Sequence, residues 1–300
     1  MDQPLVSIGV PVRNGEAFLE EALDLLVRQT YRNIEIIISD NLSTDGTSAI
    51  IRRFANADNR IRVFAQDISL TAFGNFRFVF EQAKGDFFMW AACDDRRSLD
   101  YVQQLLTALK HRSDASLAFG DVAETSDLST WHQAQPFPYQ FETSPHDSMR
   151  DKLTRYTRIN CLHIYGLIRT SALRAYHWID IDNGPDIPLL LHLSIVGQLV
   201  KAEGGRFYYY VPPIAKTLEE RAIANSLRRL KRFPELRLAW ACALTAHQSG
   251  LHKGSPISTL KAFVIVYANR HWRWIKPRLF EASPTFLVAL YRRVFKREHV

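Results

Sequence analysis

The sequence has few of the features that build a cofactor or metal site from one short segment. Its three cysteines are odd in number and far apart, which argues against a disulfide framework and against a cysteine-rich zinc site. Neither Gly-x-Gly-x-x-Gly nor Gly-x-x-x-x-Gly-Lys-Ser/Thr occurs, which argues against dinucleotide cofactors and P-loop chemistry.

Long apolar runs and a basic, apolar leader are also missing. Apolar stretches such as 262–268 and 286–291 fall well below the roughly 20 residues that a membrane-spanning helix requires. The first four residues carry no basic cluster, so we expect no signal peptide, and the few cysteines favour a reducing, cytoplasmic location. With 47% hydrophobic and 23% charged residues, the 300-residue chain has the composition of a globular protein of about two domains.

Charge is distributed unevenly along the chain. The net charge is +7, but residues 222–300 contain 15 basic and three acidic residues, whereas residues 1–221 have a net charge of −5. Two interpretations of this basic tail stay open: peripheral contact with anionic lipids, or a helical subdomain with a solvated basic face. Nucleic acid is not expected as a partner, because no recognition motif accompanies the charge. The tail also contains several aromatic residues suited to a membrane interface: Trp240, Tyr267, Trp272, Trp274 and Tyr291.

The first 120 residues alternate between short apolar runs and amphipathic segments. This rhythm predicts an α/β fold with a mostly parallel sheet flanked by helices, in which ligands bind beyond the carboxyl ends of the strands. One predicted helix spans 71–84 and should end at Gly85. The predicted strands are 6–11, 34–39, 61–64, 87–92 and 115–119.

The second half has a weaker pattern. Residues 122–150 are polar and proline-containing, which predicts a long loop near the site. Beyond this loop we expect strands around 164–168 and over 206–211, short helices over 171–177 and 187–196, and a helical basic tail.

Two strand ends have acidic or amide side chains. Asp40 and Asn41 follow the second predicted strand, and Asp94 and Asp95 follow the fourth. Adjacent carboxylates repel each other unless a cation joins them, and Mg²⁺ or Mn²⁺ commonly bridges such groups to the phosphates of a ligand. On spacing alone, such a pair is more often a solvated turn and helix cap.

Two long segments resemble the family 2 glycosyltransferases with the GT-A fold. They are VSIGVPVRNGEAFLEEALDLLVRQTYRNIEIIISDNLSTDGT (6–47) and GNFRFVFEQAKGDFFMWAACDDRRSLDYVQQLLTAL (74–109). The resemblance is close over about the first 120 residues and looser over 160–215. It implies a Rossmann-like, mostly parallel sheet, with residues 1–115 binding the nucleotide sugar and 116–221 forming the acceptor and catalytic half. Residues 222–300 would be a basic helical extension.

The resemblance also implies roles for single residues. Asp40 would accept a hydrogen bond from the nucleotide base. Asp95 would bind a divalent cation, Mn²⁺ or Mg²⁺, and Asp94 would contact the ribose or a metal-bound water. Asp186, which follows Gly184 and Pro185, would be the catalytic base. The remaining implied residues are Pro11, Val12, Arg13, Glu16, Asn41 and Asn75 around the nucleotide, and His163, Tyr165 and Gly166 on the acceptor side.

Three positions depart from the family pattern. Arg13 stands where an aromatic residue often stacks on the base, and Asn41 replaces an aspartate. Ile223 occupies the place of a histidine that approaches the metal in many members. The last change leaves two alternatives open: Asp95 and diphosphate oxygens alone hold the metal, or the metal affinity is low.

The resemblance implies an inverting transferase that moves a sugar from a nucleotide-diphosphate donor to a glycan or lipid-linked acceptor. Bacterial surface-glycan synthesis in the cytoplasm, or at the inner face of the membrane, is the expected setting. A sugar nucleotidyltransferase is one alternative, but its usual glycine-rich loop after the first strand is replaced here by the short segment 11–15. A non-catalytic scaffold that binds nucleotide or glycan is the other.

Overall fold

The computed structural model describes residues 3–137, 143–148, 151–153, 161–179, 181, 185–212, 234–249, 262–263 and 265–266. These residues fall into two compact units. The first is drawn from within Met1–Pro145, Asn160–Tyr176 and Val196–Ala224. The second is drawn from within His146–Ile159, His177–Ile195 and Asn225–Val300. The predicted boundaries at 115 and 221 stay predictions.

One mixed sheet organises the first unit. Among the described residues its strand order is β3-β2-β1-β4-β7-β6-β8-β5. The pairs β1–β2, β2–β3, β1–β4 and β6–β8 are parallel, whereas β7 and β5 run antiparallel to their neighbours. The predicted mostly parallel α/β sheet is thereby confirmed. The strands are β1 (Val6–Val12), β2 (Ile34–Asp40), β3 (Ile61–Ala65), β4 (Phe87–Trp90), β5 (Arg96–Arg97), β6 (Ala115–Thr125), β7 (Leu167–Arg169) and β8 (Gln198–Tyr210).

Helices cover the sheet. Every residue of β1 and β2 is buried, as expected for strands whose two faces are both covered. Helix α1 illustrates the packing, because Leu19, Leu23 and Leu26 point into the core while Glu20 and Glu21 occupy its first turn. The helices are α1 (Leu19–Val27), α2 (Thr47–Ala57), α3 (Ala72–Glu81), α4 (Tyr101–His111), α5 (Thr170–Arg174), α6 (Asp186–Val196) and α7 (Pro234–Gln248).

The strand register brings the two polar strand ends to one edge of the sheet. Val12 lies opposite Asp40 in the β1–β2 pair, and Gly9 lies opposite Trp90 in the β1–β4 pair. Because these strands are parallel, the segments that follow β1, β2 and β4 all leave the sheet at its carboxyl edge.

At the other edge, a buried glutamate joins four segments. Glu35 Oε1 accepts hydrogen bonds from Ser7 Oγ at 2.6 Å and from the Lys84 amide at 2.7 Å, and Glu35 Oε2 accepts one from Arg62 Nη1 at 2.7 Å. Burial alone would raise the pKa of Glu35, but these three donors outweigh it and the pKa lies below its usual value.

The prediction that Gly85 ends the third helix is wrong. Helix α3 ends at Glu81, and Gln82 caps it through backbone bonds. Gly85 instead passes close to the start of β1, where a Cβ atom would lie 2.6 Å from the Leu5 carbonyl oxygen and 2.8 Å from the Ser7 amide nitrogen. The glycine is needed for this close approach of two backbones rather than for a helix end.

Several predicted boundaries in the second half also change. Strand β6 continues to Thr125, inside the segment predicted as a loop, and β8 begins at Gln198 rather than at Arg206. The predicted strand around 164–168 starts only at Leu167, because Cys161–Tyr165 forms a 3-10 turn. Parts of 122–150 lie outside the described residues.

The described part of the second unit is mainly helical. Lys152 Nζ donates to the Ser194 carbonyl at 2.8 Å, and His192 Nδ1 lies 2.7 Å from Ser249 Oγ. Trp240 on α7 is half exposed and contacts the Phe263 ring. Most of the basic tail lies outside the described residues. Within the described part, no helix is long and apolar enough to cross a bilayer.

Candidate functional site

The loop after β1 is tied to the loop after β2. Asn14 adopts a positive φ of 52°, its amide donates to Ser43 Oγ at 2.9 Å, and its Oδ1 accepts from the Thr44 amide at 2.8 Å. The Gly15 amide donates to Thr47 Oγ1 at 2.8 Å. These bonds fix the two loops as one rim at the carboxyl edge of the sheet.

Glu16 closes the same rim. Its backbone amide donates to Asp45 Oδ2 at 3.1 Å, and its own Oε2 accepts from the Gly46 amide at 2.9 Å. The resemblance places Glu16 near the nucleotide. In the structure its carboxylate holds the turn that leads into α2.

Asp40 is a buried carboxylate at the tip of β2, with a relative exposure of 6%. Its Oδ1 accepts from the Ser43 amide at 3.0 Å and its Oδ2 from Ser48 Oγ at 2.6 Å. Each oxygen has a further lone pair, so the group can accept another donor while its position is fixed.

Two neighbouring amide side chains each donate one hydrogen bond to the protein and accept one from it. Asn41 Nδ2 donates to the Leu70 carbonyl at 2.9 Å, and its Oδ1 accepts from the Leu70 amide at 2.8 Å. Asn75 Oδ1 accepts from Ser39 Oγ at 2.6 Å and its Nδ2 donates to the Ser39 carbonyl at 3.2 Å. Both amides brace the strand tips, and their contact with a nucleotide stays a prediction.

The end of β1 provides a mixed surface. Pro11 and Val12 are buried, whereas Arg13 is exposed and donates from Nη1 to Ser69 Oγ at 3.0 Å. Arg13 is therefore tethered to the segment whose Leu70 pairs with Asn41.

Asp95 is the most unusual carboxylate of the described residues. It is 1% exposed, its Oδ1 accepts from the Tyr210 amide at 3.2 Å, and its Oδ2 is buried without a hydrogen-bond partner. Burial raises the pKa of Asp95 to about 7, the charge of Asp94 adds to this, and Arg97 opposes it. An unpaired, buried carboxylate oxygen costs free energy unless a ligand satisfies it.

Arg97 is the buried counter-charge of this turn. Its Nη2 donates to the Trp90 carbonyl at 3.1 Å and its guanidinium lies 5.1 Å from the centre of the Phe207 ring. Its Nε has no partner, and burial lowers the pKa of the group. The sequence did not indicate a role for Arg97 or for the Tyr210 amide. The pairing of β5 with β8 brings the Tyr210 amide to Asp95, and this pairing has no local signal.

Cys93 links the rim to the acidic turn. Its Sγ would lie 3.2 Å from a Cβ placed on Gly15, so the loop after β1 packs directly against the segment that leads to Asp95. Burial and the charge of Asp94 raise the pKa of the Cys93 thiol to about 12, which makes it a poor nucleophile. Asp40 and Asp95 therefore belong to one continuous edge.

The other implied residues are placed as follows. His163 is buried and packs edge-on against Phe119 with ring centres 4.3 Å apart. Tyr165 stacks on Phe207 at 5.2 Å, and Gly166 approaches the Ala118 carbonyl too closely to allow a side chain. Asp186 is the first residue of α6. Gly184 and Ile223 lie outside the described residues.

Comparison with known proteins decides the family. The family model described as Glycosyl transferase family 2 matches residues 7–176, which is more than half of the chain. The chain belongs to glycosyl transferase family 2. The family 2 chain is 34% identical to the putative glycosyltransferase EpsH of Bacillus subtilis over 144 residues. The matched region covers 45% of this chain and 41% of that protein. It thus spans about two fifths of the length of this curated relative.

Solved structures share the fold. Staphylococcus aureus TarS 1–349 in complex with UDP-GlcNAc has a TM-score of 0.63 at 13% identity, covering 94% of this chain and 76% of that one. The mannosyltransferase PcManGT of Pyrobaculum calidifontis, in complex with GDP-Man and Mn²⁺, has a TM-score of 0.53 at 16% identity, covering 99% and 89%. The predicted GT-A fold and the predicted membership of family 2 are confirmed.

Proposed function

We propose that this family 2 chain is an inverting transferase that uses a nucleotide-diphosphate sugar and a glycan or lipid-linked acceptor in bacterial surface-glycan synthesis. One observation most strongly supports the proposal that the chain binds a nucleotide-sugar donor. A fixed, buried carboxylate (Asp40) and a buried carboxylate with an unsatisfied oxygen (Asp95) lie along the same sheet edge. The nucleotide-sugar complexes of TarS and PcManGT support the same donor class.

The nucleotide end of the donor would bind at the rim. Asp40 has free lone pairs for a base N–H, and its two internal bonds hold it in place before the ligand arrives. Pro11 and Val12 would form the apolar border, and Arg13 could lay its guanidinium against the base. In this proposal residues 1–115 bind the donor and 116–221 the acceptor.

The diphosphate would lie beside the acidic turn. The unsatisfied Asp95 Oδ2 is the type of oxygen that Mn²⁺ or Mg²⁺ takes as a ligand, and among the described residues no cluster of three histidine, cysteine or acidic side chains offers a fuller site. Asp95 together with the diphosphate would hold the cation, with Asp94 toward the ribose. A bound cation would supply stabilisation of the negative charge that develops on the leaving diphosphate.

The transfer step needs a base for the acceptor. In the proposed reaction the acceptor oxygen forms a bond to the anomeric carbon while the bond from that carbon to the diphosphate oxygen breaks. Asp186 takes the acceptor proton, which typically contributes 10²–10⁴-fold to the rate. Attack from the face opposite the leaving group inverts the anomeric centre.

A donor screen tests this proposal. UDP-, GDP- and dTDP-sugars are incubated with a panel of glycan and lipid-linked acceptors, in the presence of Mn²⁺ or of EDTA. Release of nucleoside diphosphate and transfer of the sugar are measured for wild type, Asp95→Ala and Asp186→Asn. We expect metal-dependent release in wild type and a loss of at least about 100-fold in each folded variant. Asp67→Asn, at an exposed position after β3, is the matched control and should retain full activity. Metal-dependent binding of a nucleoside diphosphate without turnover of any donor would favour the scaffold alternative.

We also propose that the basic tail makes peripheral contact with anionic membranes. The support is its charge of +12 over residues 222–300 and its aromatic residues. The full chain should cosediment with anionic vesicles at low salt, but not with neutral vesicles or at high salt, because screening weakens the attraction. Equal binding to neutral vesicles would contradict the proposal.

A further inference from the structure

One carboxylate outside the proposed donor site joins two separate segments next to it. Glu21, in the first turn of α1, accepts from Arg96 Nε at 2.8 Å through Oε2 and from Trp131 Nε1 at 2.8 Å through Oε1. Neither partner is near it in sequence. One adjoins the Asp94–Asp95 turn, and the other lies in the loop that follows β6.

The first partner reaches the acidic turn directly. Arg96 is 2% exposed, although Glu21 is 46% exposed, so the bond anchors a buried guanidinium to a carboxylate at the surface. The Nη1 of Arg96 donates to the Asp95 carbonyl at 3.2 Å and, more weakly, to the Cys93 carbonyl at 3.4 Å. The guanidinium therefore spans the backbone of the turn. The position of the turn depends on where Glu21 holds this guanidinium.

The second partner belongs to a loop with hydrogen bonds of its own, which we call the 126–137 loop. The Phe137 amide donates to the Val122 carbonyl at 2.8 Å and closes the base of the loop. Near its start, Asp127 accepts from the Ser129 amide at 2.8 Å and from Thr130 Oγ1 at 3.0 Å. Because these internal bonds hold the loop together, a single contact with it can fix the position of the whole loop.

Trp131 is where this unit meets the sheet. Its ring packs edge-on against Tyr208, with ring centres 4.8 Å apart, and Tyr208 pairs with Arg96 across β5 and β8. Two residues farther along β8, the Tyr210 amide donates to Asp95 Oδ1. The loop, the end of β8 and the acidic turn therefore meet around Glu21.

We propose that Glu21 is a positioning residue, whose carboxylate holds the 126–137 loop and the Asp94–Asp95 turn in one fixed arrangement through Trp131 and Arg96. The inference rests on the proposed transferase function, and it predicts a lower reaction rate in the folded variant. Because Glu21 is half exposed, its substitution opens no cavity in the core, but it removes the charged partner of the buried Arg96 guanidinium and therefore also costs stability.

Hydrogen exchange and kinetics together test this role. The variants are Glu21→Ala and Glu21→Gln, and the control is Asp24→Ala, which removes an exposed partner of Arg28 one turn along the same helix. In Glu21→Ala we expect amides of both the 93–97 segment and the 126–137 loop to exchange about tenfold faster, with intermediate effects in Glu21→Gln. With a donor accepted by wild type, kcat should fall about 10- to 100-fold in Glu21→Ala while the donor KM stays within about twofold. Asp24→Ala should match wild type in every measurement.

A third variant separates the contact of Glu21 with Trp131 from its contact with Arg96. Trp131→Phe keeps the ring on Tyr208 but removes the N–H donor, so exchange should quicken in the 126–137 loop and stay unchanged in the 93–97 segment. Unchanged exchange in both segments of Glu21→Ala, or unchanged kcat, overturns the inference and leaves the proposed function intact. Absence of turnover in wild type counts against the proposed function instead, and the exchange result then decides the role of Glu21.

Discussion

Restoring the family's aspartate at position 41 should damage this protein. Asn41 is 3% exposed and exchanges two hydrogen bonds with Leu70, one as donor and one as acceptor. In Asn41→Asp a carboxylate oxygen replaces the Nδ2 donor. That oxygen faces the Leu70 carbonyl oxygen, which lies 2.9 Å from Nδ2 when Asn41 is present. The variant loses one hydrogen bond and leaves the part-buried Leu70 carbonyl without this donor. Together these cost about 2 to 4 kcal/mol at pH 8.

The cost should depend on pH in a defined direction. The Leu70 carbonyl oxygen carries a partial negative charge, which disfavours the charged form of the new carboxyl group beside it. The pKa of this carboxyl group in the folded protein therefore rises above the value of about 3.9 that it has in the unfolded chain. A raised pKa means that the variant is closest to wild type below about pH 4 and loses stability as the pH rises through the folded-state pKa. The protonated carboxyl can again donate to the Leu70 carbonyl.

Urea denaturation at pH 4 and at pH 8 measures both effects. The control is Asn59→Asp, the same replacement at an exposed position, which should change the unfolding free energy by less than about 0.5 kcal/mol. The reasoning fails if Asn41→Asp is as stable as wild type at pH 8, or if its deficit is equal at both pH values. Because Leu70 adjoins Ser69, which tethers Arg13, binding of nucleoside diphosphate should also weaken.

Two further predictions concern groups with shifted pKa values. Glu35→Gln should lower the unfolding free energy by about 1 to 3 kcal/mol at pH 7, because the bond to Arg62 loses its charge. Since the pKa of Glu35 is lowered in the folded state, that stability is present above about pH 4.3 and is lost as the pH falls through the folded-state pKa. Urea melts at pH 7 and pH 3 should show the deficit shrinking, and a constant deficit would contradict the argument. The second prediction concerns Cys93, whose thiol pKa is raised to about 12. This thiol should resist iodoacetamide at pH 8, whereas the exposed Cys161 should react. Labelling is measured by mass spectrometry, and equal labelling of the two cysteines would contradict the argument.

Much of the first half was predictable because its signals are local. Short β-branched runs such as 34–39 indicate buried strands, and the residues that follow them indicate turns at strand ends. The parallel arrangement then places Asp40 and Asp95 at one edge without further information. Gly85 misled the prediction because a glycine beside a helix pattern suggests a helix end, whereas here it allows a close approach to Leu5, 80 residues earlier in the chain.

By itself, the sequence determined the βαβα order, the family resemblance and the acidic strand ends, because each depends on neighbouring residues or on the period of a single element. Only the tertiary structure decided what each polar group does. Asn41 pairs with Leu70, Glu21 joins Arg96 to Trp131, and Asp95 keeps one oxygen unsatisfied beside Tyr210. The physical reason is that a buried polar atom is satisfied or left unpaired by groups brought to it from distant segments, and no local pattern specifies those partners.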